Sequence, residues 1–465
     1  MTSPGGAAAP VVVVGAGVAG MAAAVALESA GVPVTLLEAR RSLGGRAASH
    51  ADPHTGEQLD NCQHVLLGCC TNLLDFYRRI GCLNKIRFEP AIRFVDARGR
   101  TYSLSSTPGL PAPLNFALAG LKFNALTWRE RTELARASLA MMRTGRLGRA
   151  NLADVPFGKW LDDHGQSAGL VKNLYIPVLL GALNEDVRLA STTFALQVFQ
   201  DALLANSAGW ALGVSTVPLS DLYAALPCRD IRFGARVSRL EVEGGRVAGV
   251  RLVTGEMLRA PTVVLATNHH TLAKWVPPEW LERDARFHHL DKIESVPILG
   301  VQLWFDRPVL PESHAALLDG PLQWLFRADA EGRVIKGVIS AARGWAERPR
   351  DEVLAEFARQ ITTTLPNASA AKLLRGHVVI EKRATFAAVP GVDRLRPTQA
   401  PPPGGLPGLY LAGDYTLTGW PATMEGAVRA GYLAADAITA TATVKPFLVP
   451  DLPVQWPGRL LGLHR

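Results

Sequence analysis

The chain has 465 residues, of which 48% are hydrophobic, and its 49 Lys and Arg against 41 Asp and Glu give a formal charge of +8 and a pI near 9.4. That length buries a large core and exceeds one simple domain. The charge favours an acidic partner, nucleic acid or an anionic lipid surface; with no zinc module, evident helix-turn-helix or basic run with interleaved aromatics, nucleic acid is not expected.

The first ten residues lack the positive n-region of a secretory signal, and only this short tip reads as disordered. The uncharged run 7–27 is long enough to span a membrane, but it has no basic flank and is broken by Pro10 and three glycines. Instead, Val11 to Val14 read as a buried parallel strand that turns at once into Gly15-Ala16-Gly17-Val18-Ala19-Gly20. An alanine-rich helix follows to about Ser29, and a second strand, 34–37, ends at Glu38. This is a dinucleotide-binding unit in its required context. Gly15 permits the tight turn, Gly17 lets the backbone approach a pyrophosphate, and Gly20 lets helix and strand pack closely. Orphan N–H groups at the helix start face the phosphates. Glu38, roughly twenty residues on, is placed to accept hydrogen bonds from an adenosine ribose. Gly44-Gly45-Arg46 then suits a loop whose backbone runs against a phosphate while the guanidinium adds charge. The plain alternative is a glycine turn with a surface arginine.

Cys62, Cys69, Cys70, Cys82 and Cys228 are odd in number and lack zinc-type spacing, so they read as small core residues in a reducing compartment, and no metal site is expected. Residues 111–128 are mostly apolar but interrupted at Pro113, Asn115, Lys122 and Asn124, and arginines dominate 129–149. An apolar segment before a basic helix has the composition of an interfacial element on anionic lipid; the alternative is a core helix before a solvated one. Stretches 170–183 and 196–212 suit either a channel lining or ordinary core. Segments 231–237, 239–243 and 247–253, with a Gly244-Gly245 turn, read as a small antiparallel excursion that returns to a central strand at 261–267. Strand-like 298–305, 322–326 and 334–340 suggest a sheet-based domain roofed by helices of the earlier insertion. A short buried strand from Gly408 ends at Gly413-Asp414, and a glycine-punctuated turn opens an alanine-rich helix to about Thr439. An acid at a strand's carboxyl end can bind a sugar-chain hydroxyl, and a helix start stabilises negative charge on a ligand. The expected division is a nucleotide domain from 1–100, 219–295 and 399–445, a substrate domain from 101–218 and 296–398, and a tail at 446–465.

Gly15, Gly17 and Gly20 with Glu38, Gly44-Gly45-Arg46, Ala266-Thr267 and LAGDY followed by PATMEGAVRAG resemble the FAD-dependent amine oxidase and phytoene desaturase superfamily, over essentially the whole chain. Asp60-Asn61-Cys62-Gln63-His64 running on to Cys70, and Thr416 to Glu425, resemble its squalene-associated branch, the hydroxysqualene dehydroxylases of bacterial hopanoid synthesis. Glycine would be expected where Cys62 stands, so an altered loop is expected there. The resemblance implies an α/β protein: a Rossmann-type FAD-binding domain with an α+β substrate domain, a mixed sheet roofed by helices, as in amine oxidases. It implies FAD bound by Gly15, Gly17, Ala19, Gly20, Glu38, Ala39, Arg40, Gly44, Gly45 and Arg46. Val237 would join through its backbone near the adenine, and Gly413, Asp414, Ala422, Thr423 and Met424 at the flavin end. Covalent attachment would need a cysteine in the C-terminal motif, and none follows Cys228, so the FAD is expected to be non-covalent.

The implied substrate is a long-chain isoprenoid, hydroxysqualene, held in a long apolar channel and reduced to squalene with release of water. The implied setting is cytoplasmic, peripheral on the inner face of the cell membrane. With hydride supplied by reduced flavin, the protein need add only an acid and the geometry. His64 is the first candidate because histidine titrates near neutral pH; Asp60 and Tyr415 follow, and a structural role for His64 is the alternative. A phytoene-type desaturase, a soluble amine oxidase and a non-enzymatic lipid carrier are the rivals. No clear second dinucleotide fingerprint accompanies the first, which leaves the electron donor unassigned.

Overall fold

The computed structural model describes residues 10–52, 55–440 and 444–465; the N-terminal tip, expected to be disordered and to carry no signal, lies outside the described residues. β1 (Val11–Val14), α1 (Val18–Ser29) and β2 (Val34–Glu38) form the expected first unit. Further along lie α2 (Thr71–Arg79), α3 (Ala117–Lys122), α4 (Trp128–Gly148), β3 (Asp230–Phe233), β4 (Val263–Leu265), β5 (Leu409–Leu411), α5 (Met424–Thr439) and α6 (Trp456–Leu460). The five strands pair in parallel in the order β3-β2-β1-β4-β5. All four valines of β1 are buried, which is why this strand is a continuous β-branched run and not an alternating one. α1 is buried from Val18 to Leu27 for a related reason, with the sheet on one side and α5 on the other. Small residues set that approach: a Cβ on Gly431 would lie 2.3 Å from the Ala19 carbonyl oxygen.

Between β3 and β4, Val237–Glu243, Arg246–Leu252 and Met257–Arg259 make a three-stranded antiparallel sheet. Its tight turn is Gly244-Gly245, both at positive φ.

A second, mixed sheet has seven strands in the order Leu373–Phe386, Ser295–Phe305, Val334–Ile339, Trp324–Arg327, His314–Leu317, Ile92–Val95 and Thr101–Leu104. Side-chain alternation gives it two covered faces. Val95 and Ala315 join the layer of helix Arg350–Thr364 through Val353, Phe357 and Ile361, whereas Phe94 and Ala316 join the cluster of helices from the 101–218 insertion. Leu170, Leu174, Leu179, Leu183 and Leu196 lie in that cluster with Phe157 and Trp160. Two segments sit elsewhere than the sequence suggests. Ile92–Val95 precedes residue 100 yet pairs in this sheet, in parallel with His314–Leu317. Leu212–Ser215 pairs with Val65–Leu67 and Ile86–Glu89 and not within the insertion.

The apolar segment 111–128 breaks into the turn Leu114–Phe116, α3 and a loop that enters α4 through a Thr127–Glu130 capping box. Several arginines that follow serve the fold. Arg131 donates to the carbonyl oxygens of Leu121 and Phe123, and Arg146 and Arg149 both pair with buried Asp201. Arg129, Arg136 and Arg143 stay exposed. No helix among the described residues is long and apolar enough to cross a membrane.

Candidate active site

The first half of the site is a crossing of two glycine loops. Gly15 has φ +103°, and a Cβ there would meet the Ala266 carbonyl oxygen at 2.6 Å, so both conformation and space demand glycine. A Cβ on Gly20 would lie 1.9 Å from the Gly15 oxygen. Gly17 differs: apart from its two chain neighbours, no described residue lies within 4 Å of where its Cβ would stand. That open volume sits at the N-terminus of α1, where orphan N–H groups favour an anion. Gly44 and Gly45, at φ +107° and +61°, cross beside it, with the Gly44 N–H donating to the Ala16 carbonyl at 2.9 Å.

Glu38 is buried at the end of β2. Its carboxylate accepts from the Ala16 N–H and the Arg40 N–H, each at 2.8 Å, which leaves further lone pairs for a ligand. The Ala235 N–H donates to the Glu38 carbonyl and the Gly234 N–H to that of Arg40, so the segment that leads into Val237 runs beside Glu38 and Arg40.

The second half arrives through β5. Beyond it, buried Asp414 accepts from Arg46 at 2.6 Å, and Arg46 also donates to the Ala384 carbonyl oxygen at 2.5 Å. Arg46 thus ties the glycine loop, the Gly413-Asp414 turn and the second sheet together. Thr423 caps α5 by accepting from the Gly426 N–H at 3.0 Å, which sets Ala422 and Met424 at that helix start.

The loop carrying the acid candidates adjoins Arg46, since the Asn61 side chain donates to the Arg46 carbonyl at 3.0 Å. Asp60 accepts from Ser49 Oγ at 2.7 Å, the Leu219 N–H at 2.9 Å and Lys336 Nζ at 2.6 Å. Burial works against its ionisation, but Lys336 and the hydrogen bonds outweigh burial and hold the carboxyl below the usual range. Asp60 is therefore an ionised acceptor. His64 Nδ1 lies 3.3 Å from the Cys62 carbonyl. Burial lowers its pKa below 6.5, the Cys62 carbonyl and Asp60 oppose that, and Arg46 and Lys336 add to it. Tyr415 is buried against His269, 5.6 Å between ring centroids, and its hydroxyl has no partner among the described residues. Burial pushes that phenol far up. Cys62 adopts φ +66°, so the backbone there keeps the conformation glycine favours, at a cost of about 1 kcal/mol. Its sulfur faces Gly300, where a Cβ would come within 2.7 Å.

Residues 18–439 match the family described as flavin containing amine oxidoreductase. The chain belongs to that family. FAD is its cofactor, and this flavoprotein is an oxidoreductase. The 15-cis-phytoene desaturase of Solanum lycopersicum is 28% identical over 92% of this chain and 77% of its own. The hydroxysqualene dehydroxylase of Rhodopseudomonas palustris is 29% identical over 92% of this chain and 98% of its own. A solved oxidoreductase from Methanosarcina mazei shares the fold, with a TM-score of 0.69 and 17% identity over 91% of this chain and 98% of that one.

Two residues of the flavoprotein's site carried no motif signal. Arg396, wholly buried, donates to the carbonyl oxygens of Asp414 at 3.0 Å, Tyr415 at 3.4 Å and Thr416 at 2.5 Å. It also donates to Thr418 Oγ1, pairs with Asp393 at 2.6 Å and lies 4.5 Å over the Phe386 ring. One guanidinium thereby fixes the whole Asp414 turn. Lys336, the partner of Asp60, is the lone charge in the strand VIKGVI, and that isolation is the signal that could have found it.

Proposed function

We propose that this flavoprotein removes the hydroxyl of hydroxysqualene reductively, giving squalene. The carrying observation is the loop from Asp60 to Cys70, which is tied through Asn61 to Arg46 and so to the Asp414 turn, and which puts His64 in the field of Asp60, Arg46 and Lys336. The near end-to-end match to the Rhodopseudomonas palustris hydroxysqualene dehydroxylase supports this reading.

The crossing of Gly17 with Gly44 and Gly45 fits a pyrophosphate, because it is open where a Cβ of residue 17 would stand. Gly15, Ala19 and Gly20 shape that crossing; Glu38, Ala39, Arg40 and Val237 would hold the adenosine end, and Arg46, Gly413, Asp414, Ala422, Thr423 and Met424 the flavin end. When bound and reduced, FAD supplies a hydride. The protein orients the allylic C–O bond, excludes water and brings one proton to the leaving oxygen. The C–O bond breaks, a C–H bond forms, water leaves, and the cofactor is left oxidised, so an external reductant must restore it. His64 is the proton donor in this scheme. A lowered pKa makes it scarce as imidazolium but a ready donor once protonated. Ionised Asp60 favours the imidazolium electrostatically.

The second reading, a desaturase that removes hydrogen from phytoene, draws on the tomato relative. Anaerobic enzyme reduced with dithionite should convert hydroxysqualene to squalene. If it does not, yet oxidised enzyme introduces double bonds into phytoene, the desaturase reading takes over.

A substrate of this kind resides in lipid, and we place the enzyme on an anionic membrane, at the cytoplasmic face. Leu118, Leu121 and Trp128 of the α3–α4 region are exposed, beside exposed Lys122 and Arg129. That pairing of apolar and basic side chains suits an interfacial element.

A further inference from the structure

We infer that the C-terminal turn around α6 is a second lipid anchor, built to insert into an anionic bilayer. The inference rests on the membrane-borne substrate proposed above and extends the surface to a part of the chain with no cofactor motif. The turn is held rigidly. Gln455 accepts from the Ala112 N–H at 2.6 Å and the Ser207 N–H at 3.0 Å and donates to Ser207 Oγ at 3.2 Å, which latches three segments together. The Arg146 and Leu147 N–H groups donate to the carbonyl oxygens of Leu463 and Arg465 at 3.1 and 2.7 Å. α4 makes room by kinking at Gly145, φ +71°, where a Cβ would lie 2.4 Å from the Arg465 oxygen.

What this scaffold buries is small: Val454, Pro457, Gly458, Gly462 and Leu463. Apart from Leu463, its larger apolar side chains are exposed, as is Leu147 of α4 beside it. Leu460 is 78% exposed, Leu147 77%, Trp456 59% and Leu461 38%. A tail selected only to close the core would have the opposite pattern. Charge names the partner. Residues 106–150 and 446–465 contain three acidic side chains: Glu130 and Glu133 are buried, and Asp451 is paired with Arg429. Arg143, Arg459 and Arg465 remain exposed around the apolar tip. Tryptophan and leucine ringed by arginine match the headgroup and acyl boundary of an anionic leaflet. Trp456 shares an open groove of about 370 Å³ with Leu110 and Pro111 and with Ser106, Thr107, Ser207 and Gln455, so this tip adjoins the loop that leads towards α3.

Flotation of the full-length holoenzyme with phosphatidylcholine vesicles containing phosphatidylglycerol tests the inference. Leu460→Ser with Leu461→Ser should lower vesicle partition by about tenfold or more, while FAD absorbance and turnover on detergent-dispersed hydroxysqualene persist. Brominated lipid should quench the wild type more than Trp456→Phe. Unchanged partition in the double variant and no Trp456 quenching, with partition lost in Leu118→Ser/Leu121→Ser, would overturn this anchor and leave the lipid reading on α3. No flotation of the wild type would overturn both. Self-association through Trp456 and Leu460, relieved by the double variant with vesicle binding intact, would make the tip a contact between copies and also overturn it.

Discussion

Gly17→Ala isolates cofactor binding from folding, because the protein leaves its Cβ position empty. Gly17 sits at φ −72°, ψ 175°, extended backbone that alanine adopts without strain, and apart from its chain neighbours no described residue lies within 4 Å of the new methyl. Alanine is a poorer N-cap than glycine, but it also lowers the entropy of the unfolded chain, so net stability should move by no more than about 1 kcal/mol. The volume it fills is the one a pyrophosphate must enter. Forcing a methyl into a packed contact costs about 1–3 kcal/mol, a loss of about 5- to 150-fold in FAD affinity. Gly20→Ala is the contrast: its methyl would stand 1.9 Å from the Gly15 oxygen, so the first strand and helix must separate and the apoprotein itself should be destabilised. Apoprotein melting together with FAD titration distinguishes the two effects. Wild-type FAD affinity in Gly17→Ala would refute the assignment of the phosphates to this crossing.

Arg396→Met should destabilise the holoenzyme by about 3 kcal/mol or more and weaken FAD retention, because three buried carbonyl oxygens of the Asp414 turn lose their donor; chemical denaturation and FAD release check it. His64→Gln should slow dehydroxylation by about 10²–10⁴-fold while FAD stays bound. In the wild type that rate should rise as pH falls below 6.5, because burial lowers the His64 pKa and the imidazolium gathers only on the acid side; a flat profile would make His64 structural. Stability should move the other way with acid. Burial, with His270 adding, holds His269 at about 4 against 6.5, so the native state favours its neutral form and about 3 kcal/mol is lost as pH falls from 6.5 through 4. His269→Gln should flatten that part of the denaturation profile.

The nucleotide half was legible because its constraints are local. Gly15, Gly20, Gly44 and Gly45 are each required by a positive φ or a close backbone approach within one turn of chain, and Glu38 reaches Ala16 across a single βαβ step. Even the expectation of glycine at position 62 has its counterpart in the backbone, since Cys62 holds a glycine-like φ of +66°. The parts that escaped depend on contacts between segments far apart in the chain. Ile92–Val95 joins the second sheet only because His314–Leu317 arrives beside it. Asp60 read as an acid candidate from its loop alone, and it is Lys336, 276 residues away, that makes it an acceptor. Lys336 is announced only by its isolation in an apolar strand, and Arg396, before a proline, by no periodicity at all.

The basic stretch was only half readable for the same physical reason. Composition counts charges, but the fold decides which are free. Arg131 is used to close the end of α3, and Arg146 and Arg149 neutralise Asp201, while the exposed apolar tip they help to support lies at the other end of the sequence. A lipid-facing surface therefore has to be read as exposure and unpaired charge in space. On that measure Arg143, Arg459, Leu147 and Leu460 form one candidate surface although more than 300 residues separate its two halves.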